Sequence, residues 1–141
     1  MKIKVKKVNS EARIPEYTIE GDAAMELYSA VDITLKSGEI KSCETGIAMA
    51  IPKGFVGLIW DKSGIALKGG IKTMGGVIDS NFCGEIGVIM KNLSDKNYEI
   101  KRGDKIAQIL IQKVESVTIE EVEELDETER GAGRFGSTGI R

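Results

Sequence analysis

Asp79 lies within the run Gly75-Gly76-Val77-Ile78-Asp79-Ser80-Asn81-Phe82-Cys83-Gly84-Glu85-Ile86-Gly87. A carboxylate held between short apolar segments can orient and deprotonate a water, a role worth about 10² to 10⁴ in rate. Gly76 and Gly87 would let a planar ligand approach the main chain. The commoner structural reading makes Asp79 and Asn81 turn residues at the tip of a hairpin. A second island covers residues 52–66 and contains Asp61-Lys62-Ser63-Gly64-Ile65-Ala66. Ser63 and the amides opening a short helix could hold a phosphate, with Lys62 adding a full charge. An ordinary strand, turn and capped helix would use the same residues.

In a third island, Gly103-Asp104-Lys105-Ile106-Ala107-Gln108, a charged turn feeds a strand. Gln108 sits among apolar residues and needs a partner if buried, either a core hydrogen bond or a ligand. The fourth is the C-terminal stretch from Arg130 to Gly139. Arg130 and the Gly136-Ser137-Thr138 amides and hydroxyls suit phosphate oxygens, and Phe135 suits stacking on a base. The competing reading is a disordered Gly-rich terminus.

The chain has no histidine, which removes Ser-His and Cys-His nucleophiles, His-ligated zinc and a His general base. Acid and base chemistry near neutral pH falls to carboxylates, Lys or Tyr, and a hard cation held by oxygens, such as magnesium, remains open. Cys43 and Cys83 stand apart without a C-x-x-C pair, so both are expected to be reduced thiols. With 141 residues, 41% hydrophobic and 30% charged, one compact domain is expected. The net charge of -2 gives no general pull toward nucleic acid or membrane, and no segment reads as a signal peptide or a membrane span. A soluble, intracellular protein with a small or local partner is expected.

The elements that must position these islands are mostly strands. Apolar residues alternate with polar ones over residues 2–8 and 31–35, and further strand candidates lie at 40–51, 55–60, 84–91, 97–100 and 106–114. This is the rhythm of a sandwich or jelly roll. One short helix is expected at residues 63–68, capped by Ser63 and ended by Gly69-Gly70. After the acidic stretch 120–129, residues 130–141 read as a mobile arm on a body of residues 1–129.

Together and in this order, the islands resemble the five motifs of the homotrimeric dUTPase family. Motif one appears as Asp22-Ala23-Ala24-Met25-Glu26-Leu27, motif two as residues 52–66, motif three as 76–86, motif four as 103–108 and motif five as 130–139. Gly-Val-Ile-Asp in the third and Phe-Gly-Ser-Thr-Gly in the fifth are the specific ones. The resemblance implies an all-β jelly roll, the β-clip of dUTPases, with one short helix and an extended C-terminal arm. It implies dUTP hydrolysis to dUMP and pyrophosphate, with Asp79 orienting the attacking water and magnesium on the triphosphate. Gly76 and Gly87 match main-chain contacts to uracil. Phe82 matches a residue packing under the sugar, Lys62, Ser63, Gly64 and Gln108 match phosphate contacts, and Arg130, Gly136, Ser137 and Thr138 match the arm's phosphate clamp. Phe135 matches the lid over the base, and Glu26 a carboxylate that meets magnesium through water. Partners would be dUTP and two further copies in a homotrimer with shared sites closed by swapped arms. Location would be cytoplasmic, or nuclear or the cytosol of a viral host.

The chain departs from the family pattern at Glu26 and Phe82, where Asp and Tyr are usual, and at Ala24, Lys62 and Cys83, where Gly, Arg and often Arg stand. Lys at position 62 gives a point charge without a fork. Two other readings stand beside the hydrolase. A dCTP deaminase of related fold would need a catalytic Glu, for which Glu85 is the candidate. A nucleotide-sensing module would keep the fold without the chemistry.

Overall fold

The computed structural model describes residues 1–139; of the expected arm, Ile140 and Arg141 lie outside the described residues. Ten strands and one short helix follow the chain: β1 (Lys4–Lys7), β2 (Met25–Tyr28), β3 (Ile33–Leu35), β4 (Ile40–Ala50), β5 (Phe55–Trp60), α1 (Ser63–Gly69), β6 (Ile71–Met74), β7 (Val77–Ile78), β8 (Glu85–Asn92), β9 (Tyr98–Ile100) and β10 (Lys105–Lys113). Two four-stranded antiparallel sheets, in the orders β1-β4-β8-β6 and β2-β10-β5-β7, are joined by a small β3-β9 pair. The fold is the expected all-β, jelly-roll-like one with a single short helix.

Period-two alternation builds the core. In β8, Ile86, Val88 and Met90 point inward and are fully buried, and in β10 Ala107 and Ile109 do the same from the facing sheet, with Ile106 buried beside them where the register shifts. With Leu27, Leu35, Ile47, Met49 and Ile100 they form one continuous cluster. Burying side chains of this size stabilises by about 1.5–3 kcal/mol each before conformational entropy is charged against it.

Inside β4 the pairing to β8 slips between Glu44↔Gly87 and Ala48↔Glu85. Gly46 sits in this bulge with φ +69. Its carbonyl accepts from both Val8 and Asn9, and its N–H donates to Glu85 Oε1 at 2.8 Å. A Cβ on Gly46 would lie 2.7 Å from that of Ala12. Gly46→Ala is therefore expected to cost about 3 kcal/mol, from left-handed strain plus overpacking, read as a lower denaturation midpoint.

Two local expectations are corrected. Ser63 does not cap the helix: Lys62 occupies the N-cap position in extended conformation without a side-chain cap bond, and Ser63 is already helical. The stretch from Gly76 to Gly87 is not a closed hairpin either. Val77 and Ile78 pair with Leu58 and Gly57 of β5, whereas Glu85 onward joins β4 and β6 in the other sheet.

From Val114, whose N–H meets Gly54 O at 2.9 Å, to residue 139 the chain has no strand or helix and is exposed throughout. No helix among the described residues is long and apolar enough to cross a membrane.

Candidate active site

The register places Glu26, Gln108 and Trp60 side by side across β2, β10 and β5. Together with Asp22, Ala24 and Asp61 they line a cleft of about 400 Å³. The strand carrying Glu26 is anchored by Tyr28, whose hydroxyl donates to Glu16 Oε1 at 2.7 Å and whose ring lies 3.8 Å beneath the Arg13 guanidinium. Burial, and then the Glu16 carboxylate, push the Tyr28 phenol up to about 12, so it stays a neutral donor.

Glu26 is held by two cations. Lys62 Nζ donates to Oε2 at 2.6 Å and Oε1 at 2.8 Å, and Lys105 Nζ donates to Oε1 at 3.3 Å. Thr18 bridges them, accepting from Lys105 and donating to Glu26. Burial pushes the Glu26 pKa up, but the lysine hydrogen bonds and charges outweigh it and hold the carboxyl below its ordinary 4.5. A carboxyl depressed in the folded state adds stability above its unfolded pKa, and that stability is lost as pH falls through the folded value. Glu26→Gln is therefore expected to lower stability by about 1–2 kcal/mol near neutral pH. The gap to the unmodified protein should close in thermal melts as pH drops below the carboxylate range.

Gln108 is partly buried, and its Nε2 donates to the Asp61 carbonyl at 2.8 Å. That contact uses one amide proton and leaves the other, with Oε1, for a ligand. The Asp61 carboxylate accepts from the Thr73 N–H and from Lys72 Nζ. Ser63 and Gly64 are exposed where α1 begins. Glu26, Lys62 and Gln108, taken from three separate motifs of the sequence, thus meet, with Ser63 next in the chain, whereas Gly64 borders a different hollow with Lys68, Ser94 and Tyr98.

Gly76 and Gly87 form a second locus. The β6–β8 ladder ends at Met74↔Ile89, and two more steps of the same register would set Gly76 opposite Gly87. There the strands part, and Gly76 turns to give its carbonyl to Ile59 N at 2.8 Å. Its φ of +98 and a Cβ position 2.9 Å from the Ile59 carbonyl admit only glycine. Gly76 borders a hollow with Ile59, Trp60 and Val77, whereas a Cβ at Gly87 would run into Ser42 Oγ on the neighbouring strand. Asp79 is exposed on the connection between the two strands, in a turn closed by Phe82 N to Asp79 O at 3.1 Å. Phe82 packs its ring over Gly84.

The two loci are apart. β2 and β7 are opposite edges of one sheet, so Glu26 and Asp79 are separated laterally by three strand spacings, roughly 14 Å. The third group is apart as well. Four successive turns curl residues 128–139, and Arg130, Ser137 and Thr138 border a hollow completed by Thr128 and Glu129. Phe135 is fully exposed. Glu85, which the deaminase reading requires, is tied to Gly46 N.

Sequence reasoning missed Asp61, Trp60 and Lys105. Asp61 stands directly before Lys62-Ser63-Gly64, and an acidic residue preceding a candidate phosphate turn was the available signal. Both cysteines are free, Cys43 buried and Cys83 exposed.

The dUTPase family model matches residues 10–139 of this chain. A deoxyuridine 5'-triphosphate nucleotidohydrolase of Nautilia profundicola is 47% identical over 141 residues, covering 99% of both chains. The dUTPase of Staphylococcus bacteriophage 80alpha, solved with dUPNHPP, superposes with a TM-score of 0.93 at 29% identity, covering 99% of both chains. A dUTPase variant from phage phi11 of S. aureus, in which a structural Mg(II) ion is coordinated, gives 0.85 at 26% identity over 90% of this chain and all of that one. The chain belongs to the dUTPase family.

Proposed function

We propose that the protein hydrolyses dUTP to dUMP and pyrophosphate. The observation that carries this reading is that the β6–β8 ladder stops short of Gly76 and Gly87, with Asp79 on the connection between them. A base edge can hydrogen-bond to main chain there while a carboxylate stands beside the attached phosphates. Uracil presents alternating acceptors and a donor, and the backbone of two parting strands presents the complement. Phe82 offers a face to the sugar.

Asp79 orients a water toward the alpha phosphorus and accepts its proton as the oxygen attacks. The bond from that phosphorus to the bridging oxygen breaks, and pyrophosphate leaves with the electron pair. Lys62, Ser63, Gly64 and Gln108 hold phosphate oxygens, and Arg130, Gly136, Ser137 and Thr138 bring further donors from the arm. Phe135 covers the base and excludes water. Positioning and charge compensation supply most of the acceleration in such transfers.

The separation of Glu26 from Asp79 supports sites shared between subunits of a homotrimer, in which residues 130–141 act as an arm on the 1–129 body and close a neighbour's site. A cytoplasmic location accords with the reaction.

Magnesium fits the donor set in one way. Among the described residues no group of three or more Cys, Asp or Glu is arranged to hold an ion, and both oxygens of Glu26 face ammonium groups. That suits an ion carried by the triphosphate and its own waters, with Glu26 one water away. When bound, magnesium would neutralise charge on the phosphates.

Pyrophosphate release from dUTP, with and without magnesium, tests the reading. Deamination of dCTP in place of hydrolysis, or calorimetric binding of dUTP without turnover, would replace it with one of the rivals.

A further inference from the structure

Asp61 occupies a position that the proposed mechanism leaves unused. It links β5 to α1 and directly precedes Lys62-Ser63-Gly64. Trp60 and Asp61 line both the cleft that holds Glu26 and Gln108 and a second hollow that holds Gly75, Gly76 and Val77. β6 is an edge strand, paired only with β8, and the Asp61 carboxylate takes the outward N–H of Thr73 on that edge. Lys72 Nζ reaches the other carboxylate oxygen, and Gln108 of β10 holds the Asp61 carbonyl at 2.8 Å. One residue is thereby fastened to both sheets, by two bonds through its side chain and one through its main chain.

We infer that Asp61 is a positioning residue that fixes the Lys62-Ser63-Gly64 turn against the two sheets and so presents it to the phosphates. This rests on the hydrolase reading for which end of the nucleotide the turn serves. The base end does not need Asp61, because Gly76 is held by its own bond to Ile59 N and β6 by its ladder to β8. The turn has no ladder of its own: it is held by the three contacts of Asp61, the ion pair of Lys62 with Glu26, and the first helical bond from Ala66 N to Lys62 O. Burial alone would raise the Asp61 pKa, yet Lys72 and the Thr73 amide hold it low, so the acceptor is ionised when the turn is in place.

The test separates the two ends of the nucleotide by calorimetry on the full chain, using inorganic pyrophosphate as the phosphate probe and deoxyuridine as the base probe. Asp61→Ala should weaken pyrophosphate binding about tenfold, since a displacement near 1 Å is enough to misalign such a turn. Asp61→Glu keeps the charge but adds a methylene, and should weaken it about fivefold through the same displacement. Asp61→Asn retains an oxygen for the Thr73 N–H and loses mainly an exposed pair with Lys72, so it should stay within about threefold of the unmodified protein. Deoxyuridine affinity should hold in all three. Pyrophosphate affinity left intact in Asp61→Glu, or pyrophosphate and deoxyuridine weakening together, would overturn the inference. Failure of the unmodified protein to hydrolyse dUTP would instead overturn the reading of the site.

Discussion

Asp79→Asn is expected to hydrolyse dUTP about a thousandfold more slowly than the unmodified protein while binding it with nearly the same affinity. The substitution is isosteric, and Asp79 lies at an exposed turn fixed by main-chain contacts, Phe82 N to its carbonyl and β7 to β5. The turn therefore stays where it is. An amide can still accept a hydrogen bond from a sugar hydroxyl or a water, so ground-state binding survives. It cannot take a proton, and with no histidine in the chain no neighbouring imidazole can take over. The loss should fall on kcat and leave KM almost unmoved. Turnover within a factor of ten of the unmodified protein would remove Asp79 from its role as base.

Removing residues 130–141 should have the opposite signature to a folding defect: a thermal midpoint near that of the full chain and kcat/KM lower by about a hundredfold. The last residue of the buried core is Ile109 and the last strand ends at Lys113, so the truncation deletes no core contact. What it deletes is a cluster of donors, Arg130, Ser137 and Thr138, together with the fully exposed Phe135 ring. An uncovered aromatic ring beside a cationic side chain gains by closing over a bound base and phosphate. Kinetics of the shortened protein that matched the full chain would deny the arm its part in the site.

The strands with strict alternation and clear punctuation were legible from residue types. β5 was expected at 55–60 and occupies those residues, and β10 differs from its expectation by one residue at each end. β2 was not visible. Met25 to Tyr28 is at least partly buried on both faces, so it lacks the polar half of the pattern. β6 alternates, but its four residues directly follow Gly69-Gly70 and read as an extension of the loop. The open connection at 76–87 was misread because local alternation cannot tell which partner wins, and Gly57 and Leu58 are remote in sequence.

The site divides along the same line. Asp79, Gly76, Gly87 and the arm residues were nominated only once their motifs were read together and in order. The pairing of Lys62 and Lys105 on Glu26, and the fastening of Asp61 to Thr73 and Gln108, join residues many positions apart, and nothing in local spacing encodes such long-range contacts.

The parting of β6 from β8 just past Met74↔Ile89 has an evolutionary consequence. On the proposed reading, the choice of base is written in hydrogen-bond register and not in side chains. Drift in the neighbouring side chains would leave that choice untouched. A one-residue insertion or deletion between Met74 and Gly76 would rotate the main-chain donors and acceptors at this end of the ladder. Indels in this short stretch, more than substitutions around it, are what selection for the same base should forbid.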